Sequence, residues 1–332
     1  MESYKVLNKQ QFNLGDYYLV PIRYIDRYLI MNWRNDQLFH LRQKEPLTKE
    51  IQDQYFKEVV NIEKTQNYPD QILFSLLRND KCVGYGGLVH IDWLNKNAEI
   101  SFVIETYNST NNFVSIWVVF LTLLKQIAFK EISLHKIYTY AFDLRPKLYE
   151  ALTISGFSFE GRLKDHVLLN SDYYDVVYYS LINPLLDLNI RDIKESDFSL
   201  LLNWRNDEQV LKNSFDSNII DEEEHRVWFN FKLSDTNTKV FIFETKQNKP
   251  IGQVRLEKEN DQWLIDYSVD SNFRGIGLGF LILNKVINFF GNEKFIAKVK
   301  SENTASIKTF EKLGFELALS NNKFNKYFFS VK

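Results

Sequence analysis

The chain has 332 residues, 45% of them hydrophobic and 25% charged, with a formal net charge of -2 and no long Lys/Arg run. That length predicts two domains with cores large enough for 27 Phe and 18 Tyr, and the charge pattern excludes a nucleic-acid footprint. One cysteine, Cys82, excludes an intramolecular disulfide and a Cys-rich zinc site, and five histidines far apart in sequence give no ligand spacing, so no metal is expected.

The first residues, MESYKVLNKQQFNL, lack the basic-then-apolar pattern of a signal peptide. The most apolar stretch, Phe113 to Phe129, is broken by Ser115, Thr122, Lys125 and Gln126. It is shorter than the roughly 20 residues of a membrane span. The expectation is a cytoplasmic protein with neither membrane nor nucleic-acid partners.

Two halves of the chain repeat one pattern. Met31 to Gln37 (MNWRNDQ) answers Leu202 to Glu208 (LNWRNDE), and Val83-Gly84-Tyr85 answers Ile251-Gly252-Gln253. Glu99 to Glu105 answers Leu264 to Asp270, and Ser155-Gly156-Phe157 answers Leu313-Gly314-Phe315. The order is collinear and the offset drifts slowly, from 171 residues at Trp33 and Trp204 to 158 at Gly156 and Gly314. Two copies of one fold with different loop lengths would give this. Within each WRND, Trp is expected to pack, and Arg and Asp to pair across a turn.

The first copy closes on a strand from Tyr173 to Ile182. Pro184 cannot donate to a sheet ladder, so the domains read as 1–183 and 190–332 with a linker at 184–189. In the second copy, helices are expected from Asp197 to Asn206 and from Asp221 to Leu233, the latter opened by an acidic turn. Strands follow at Val240–Thr245, Ile251–Glu257 and Trp263–Val269. A Gly-rich turn leads into a helix from about Ile276 to Phe290, with Phe280, Leu283, Ile287 and Phe290 at helical spacing. A strand at Phe295–Lys300, a helix at Thr304–Leu313 ended by Gly314, and two final strands complete a mixed α/β domain.

The turn Arg274-Gly275-Ile276-Gly277-Leu278-Gly279 carries the chemistry. Glycines at a strand-to-helix junction free the backbone for positive φ and close approach. The amides of the helix start then form an anion nest that the helix dipole reinforces, with Arg274 as a cation beside it. The spacing fails the G-x-G-x-x-G dinucleotide fingerprint and lacks the Gly-Lys-Ser/Thr of a P-loop. What remains is R-x-x-G-x-G, a pyrophosphate cradle for an acyl-CoA. Downstream stand Asn303-Thr304-Ala305-Ser306, Phe310 and Leu313-Gly314-Phe315.

With these motifs, residues 190–332 resemble the GNAT superfamily of N-acetyltransferases, and the first copy resembles it more loosely. The resemblance implies two tandem domains, each a mostly antiparallel sheet flanked by helices, and acetyl-CoA as acyl donor. It implies that the fourth and fifth strands splay around the pantetheine arm, and that the backbone N–H near Val269 polarises the thioester carbonyl. Arg274, Gly275, Ile276, Gly277, Leu278, Gly279, Asn303 and Ser306 would contact the coenzyme. Many members carry a Tyr acid where this chain has Phe310. A free thiol has a pKa of about 8.5, so a thiolate can leave without full protonation. Candidate bases for the attacking amine are Asp266, Tyr267 and Glu257, with Asp266 and Tyr267 on opposite faces of one strand.

His225 and Trp228 lie on the second helix, where relatives line the acceptor site, and Arg255 or Arg226 would pair with a diphosphate. The segments Glu224–Phe229, Ile251–Arg255 and Ile265–Ser268 resemble enzymes that acetylate nucleotide-linked 4-amino sugars. Peptide amines, other small-molecule amines and a non-catalytic acyl-CoA sensor or scaffold are the alternatives. In the first copy Glu99 stands where the family often places a base. Yet the following loop, residues 105–113, has no glycine, and Arg145 stands at the position of Asn303. The first copy is therefore expected to support, dimerise or shape the acceptor site, with a homodimer as one form; the alternative is a second, divergent transferase.

Overall fold

The computed structural model describes residues 3–107 and 112–330. The chain divides into two compact units, Met1–Asn183 and Pro184–Lys332.

In the first unit, β1 (Phe12–Leu14), β2 (Tyr17–Pro21), β3 (Ile72–Arg78), β4 (Lys81–Asp92), β5 (Asn97–Ile104), β6 (Lys136–Phe142), β7 (Ser158–Leu169) and β8 (Asp172–Ile182) form one sheet in the order β1-β2-β3-β4-β5-β6-β8-β7. Among the described residues only the β5–β6 pair is parallel. The longer helices among the described residues are α1 (Arg27–Asp36), α2 (Lys49–Tyr55), α3 (Phe113–Gln126) and α4 (Pro146–Ile154). The run ILFSLL of β3 is buried on both faces, as expected of a central strand covered on two sides. The apolar Phe113 stretch becomes α3, which continues through Ile127–Glu131. Phe120, Leu121, Leu123, Leu124, Ile127 and Ala128 are fully buried, so this is the core helix of the unit.

The second unit repeats the plan. Its strands β9 (Leu188–Asp192), β10 (Thr238–Thr245), β11 (Pro250–Glu259), β12 (Gln262–Val269), β13 (Phe295–Lys300), β14 (Glu316–Ser320) and β15 (Phe324–Phe329) run in the order β14-β15-β13-β12-β11-β10-β9. Again one pair, β12–β13, is parallel. The helices are α5 (Phe198–Arg205), α6 (Glu208–Asn213), α7 (Glu222–Ser234), α8 (Leu278–Phe290) and α9 (Thr304–Lys312). Asp221 caps α7 by accepting from the Glu224 amide at 2.8 Å, as its side chain and the acidic first turn dictate.

Strand register verifies the repeat. Gly84 faces Ile104 across β4–β5, and Gly252 faces Val269 across β11–β12. Two readings change. The segment 184–189 is not all linker, because β9 begins at Leu188 and pairs with Thr245. A short helix, α6, follows α5 directly, because Asp207 accepts from the amides of Gln209 and Val210 and starts a new turn.

Candidate active site

The site grows out of the parallel pair of the second unit. β12 and β13 pair only at Trp263–Phe295 and Leu264–Ile296. Beyond that both strands run on without pairing, so they part and open a cleft. The Asp270 amide donates to Ile251 on β11 at 2.9 Å. Amide direction alternates along a strand, so the N–H groups of Val269 and Tyr267 face the cleft instead.

The turn that follows owes its shape to its glycines, for two reasons. Gly275 (φ 80°) and Gly277 (φ 84°) are left-handed, a conformation that costs an L side chain about 1–2 kcal/mol. Gly277 is the N-cap of α8. Gly279 has ordinary φ, but a Cβ there would lie 2.8 Å from Cε2 of Tyr267. Ile276 and Leu278 are buried, so their side chains anchor the turn while its backbone lines the cradle. The unpaired amides at the start of α8 and the positive end of its dipole suit a pyrophosphate.

Arg274 differs from expectation. Its Nε donates to the Val269 carbonyl at 2.9 Å, and its Nη2 pairs with Asp207 at 2.7 Å. It ties the strand end to the WRND segment rather than standing as a free cation. Nor do the Arg and Asp of WRND pair with each other. Arg205 donates to the Asp216 carbonyl at 2.9 Å, and Trp204 Nε1 donates to Asp270 at 2.9 Å. Asn206 exchanges two bonds with the Ile220 backbone, as Asn35 does with Leu47 in the first unit. The segment is a clamp on the loops beside the glycine turn. Asp207→Ala removes the Arg274 pair and the α6 cap, together worth about 1–2 kcal/mol. Acetyl-CoA affinity measured by calorimetry is expected to fall about tenfold, and an unchanged Kd would show that the turn needs no clamp.

Asn303 caps α9: its Oδ1 accepts from the Ser306 amide at 3.1 Å and its Nδ2 donates to Ser306 Oγ at 3.0 Å. Ser306 Oγ lies 3.1 Å from the Tyr267 hydroxyl. Burial pushes that hydroxyl above the ordinary tyrosine range, with Ser306 opposing the shift. The raised pKa favours the protonated hydroxyl over the tyrosinate. Its ring packs edge-on against the buried Phe310, centroids 5.9 Å apart.

The opposite face of β12 presents Asp266. Arg255 pairs with it at 3.3 Å and with Glu257 at 3.1 Å, while Lys232 of α7 reaches Glu257 at 3.0 Å. The Arg255 guanidinium lies over the Trp228 ring at 5.6 Å. Four of the expected residues are thus one cluster. His225 meets it only through the Trp228 ring. It is buried, its ring packs against Phe198, Trp228 and Phe229, and its Nε2 donates to the Phe198 carbonyl at 3.0 Å. Burial lowers its pKa, so it is a neutral core residue rather than an acceptor contact.

Models of the GNAT acetyltransferase domain match residues 187–316 and 21–178. The chain belongs to the GNAT acetyltransferases, with two such domains in tandem. No curated protein matches it. Among solved structures, a spermidine N-acetyltransferase from Vibrio cholerae, in complex with CoA and spermine, is 19% identical with a TM-score of 0.44, over 51% of this chain and 97% of that one. A domain from Methanocaldococcus jannaschii is 25% identical with a TM-score of 0.39, over 44% and 99%. GNAT acetyltransferases use acetyl-CoA, and the left-handed glycines and open β12–β13 cleft of the second domain fit it.

The first GNAT domain departs from that plan. Its strands β5 and β6 also part, after Glu99–Tyr138. Glu99 is buried there and is held by Arg42 in an ion pair. Of the glycine-free loop, residues 108–111 lie outside the described residues. Asp36 accepts from Thr106 at 2.9 Å, so an uncharged hydroxyl meets this Asp where an arginine meets Asp207.

Proposed function

We propose that the second GNAT domain carries the acetyl transfer, to a primary amine, in the cleft between β12 and β13. The observation that supports this most is the pairing of two left-handed glycines at the start of α8 with the cleft-facing amides of Tyr267 and Val269. The bound coenzyme supplies the activated acetyl group. Gly275 to Gly279, with Ile276 and Leu278 contributing backbone, would hold its pyrophosphate; Arg274 fixes the turn, and Asn303 and Ser306 border the pantetheine side. A preorganised amide aimed at a carbonyl oxygen stabilises the charge that develops there. Tyr267 holds a proton at its hydroxyl, on the side where Phe310 has none to give.

The attacking amine must be neutral. Asp266 is the exposed carboxylate of the Arg255–Glu257 cluster, and we assign it to receive the amine's proton directly or through water. For the acceptor we infer a nucleotide-linked 4-amino sugar. The Trp228 ring with the Arg255 guanidinium over it brings an aromatic group and a cation together, which suits a sugar nucleotide better than a bare polyamine. Thiol release from acetyl-CoA is expected with UDP- or dTDP-4-amino-6-deoxy sugars. Turnover on a peptide amine and none on the sugars would reject this acceptor. CoA binding without turnover on any amine would reject the transfer itself.

A further inference from the structure

We propose that the first domain binds a small oxyanion-bearing molecule between β5 and β6, and that this site is not an acyl-CoA site. The parted strands border a half-open cavity of about 400 Å³ whose walls include Arg34, His40, Arg42, Glu99, Trp117 and Arg145. That volume is within the range of small-molecule sites, roughly 300–1,000 Å³.

The charges in the wall do not balance. Arg42 is paired with Glu99 and lies over the Tyr140 ring. Arg34 donates only to neutral partners, the Gln43 amide oxygen at 2.7 Å and the Tyr85 hydroxyl at 2.6 Å. Arg145 has His40 Nε2 at 3.5 Å, and its own Nε is buried with no partner. Three guanidiniums thus face one carboxylate. His40 adds no anion. It is buried, burial and the nearby Arg145 push its pKa down to about 3, and its Nδ1 has no partner. Burial likewise lowers Arg145, to about 10.

A half-buried guanidinium whose Nε is shut off from solvent and has no counter-charge is unfavourable for the fold, and its planar fork matches a carboxylate or a phosphate in bidentate fashion. The missing anion therefore comes from a ligand. Acyl-CoA does not suit the same place. Arg145 takes the helix-start position that Asn303 holds in the second domain, but it makes no side-chain cap bond and Pro146 follows it. Its guanidinium lines the cavity instead, and residues 105–113 offer no glycine for a phosphate nest.

The test uses the full chain, titrated calorimetrically with succinate, with inorganic phosphate and with acetyl-CoA. At least one of the two anions is expected to bind; succinate alone would identify a carboxylate ligand, phosphate alone a phosphate ligand. Arg145→Met should weaken that binding at least about tenfold, in line with loss of a charged hydrogen bond. It should also raise the melting temperature of the ligand-free protein by about 2–4 °C, because a half-buried, unpaired charge is removed. Arg34→Gln, which keeps hydrogen-bonding capacity, should weaken anion binding without that gain. Acetyl-CoA should bind once per chain, in wild type and in Arg145→Met alike. Binding of neither anion, binding indifferent to both substitutions, or two acetyl-CoA per chain falling to one in Arg145→Met would each overturn the proposal.

Discussion

Gly277→Glu is expected to abolish measurable acetyl-CoA binding, lowering affinity at least about 100-fold, or ~2.7 kcal/mol. Two effects add. Gly277 has φ 84° at the N-cap of α8, and any L side chain there is strained by about 1–2 kcal/mol or forces the turn to move. The glutamate carboxylate would also sit over the α8 amides and take the helix-dipole position that the coenzyme phosphates need. Two like charges 4 Å apart near a protein surface repel by roughly 4 kcal/mol at an effective dielectric of 20. Gly277→Ala separates the terms, since it carries the strain without the charge. Its affinity is expected to fall about tenfold. Calorimetry on both variants, with circular dichroism to verify the fold, decides the matter. Wild-type affinity in Gly277→Glu would remove the coenzyme from this turn.

The glycine turn was the most legible part of the molecule because its chemistry is local. Left-handed backbone at Gly275 and Gly277, a cap at Asn303 and a helix end at Gly314 all follow from residue types within a few positions. The repeat was legible for a related reason: strand register preserves spacing, so Gly84–Ile104 and Gly252–Val269 hold matching places. What sequence spacing does not contain is the identity of a distant partner. Arg274 sits where a phosphate-binding cation would be useful, yet it meets Asp207, 67 positions away. His225 sits on the helix expected to line the acceptor site, but its position on the inner side is set by Phe198 on another helix. The charge imbalance of the first domain was equally hidden, because Arg34, Glu99 and Arg145 come from three elements and only the fold gathers them. Arg145 was visible in sequence as a departure from Asn; that it turns into a cavity was not.

The division of labour between the domains can be tested through a stability mutant with a local cause. Gly86 and Gly87 on β4 are wedged between neighbouring strands. A Cβ on Gly86 would lie 2.1 Å from the Ser101 carbonyl oxygen of β5, and one on Gly87 would lie 1.9 Å from the Ile72 carbonyl oxygen of β3. Both obstacles are backbone, which cannot swing aside as a flexible side chain can, so strands must separate and ladder hydrogen bonds must stretch. Overpacking of this kind costs on the order of 3 kcal/mol. For a domain of this size that corresponds to a melting temperature lower by about 6–12 °C. Gly87→Ala should therefore shift the unfolding of the first domain strongly in differential scanning calorimetry. Its effect on acetyl-CoA affinity should stay within about twofold at temperatures below that transition, because the glycine turn, the Asp207–Arg274 pair and the β12–β13 cleft all belong to the second domain. The anion site of the first domain should weaken in parallel with its fold, since β4 and β5 carry part of its wall. If acetyl-CoA affinity collapses together with the first transition, coenzyme binding is a property of the whole chain, and its assignment to the second domain alone is wrong.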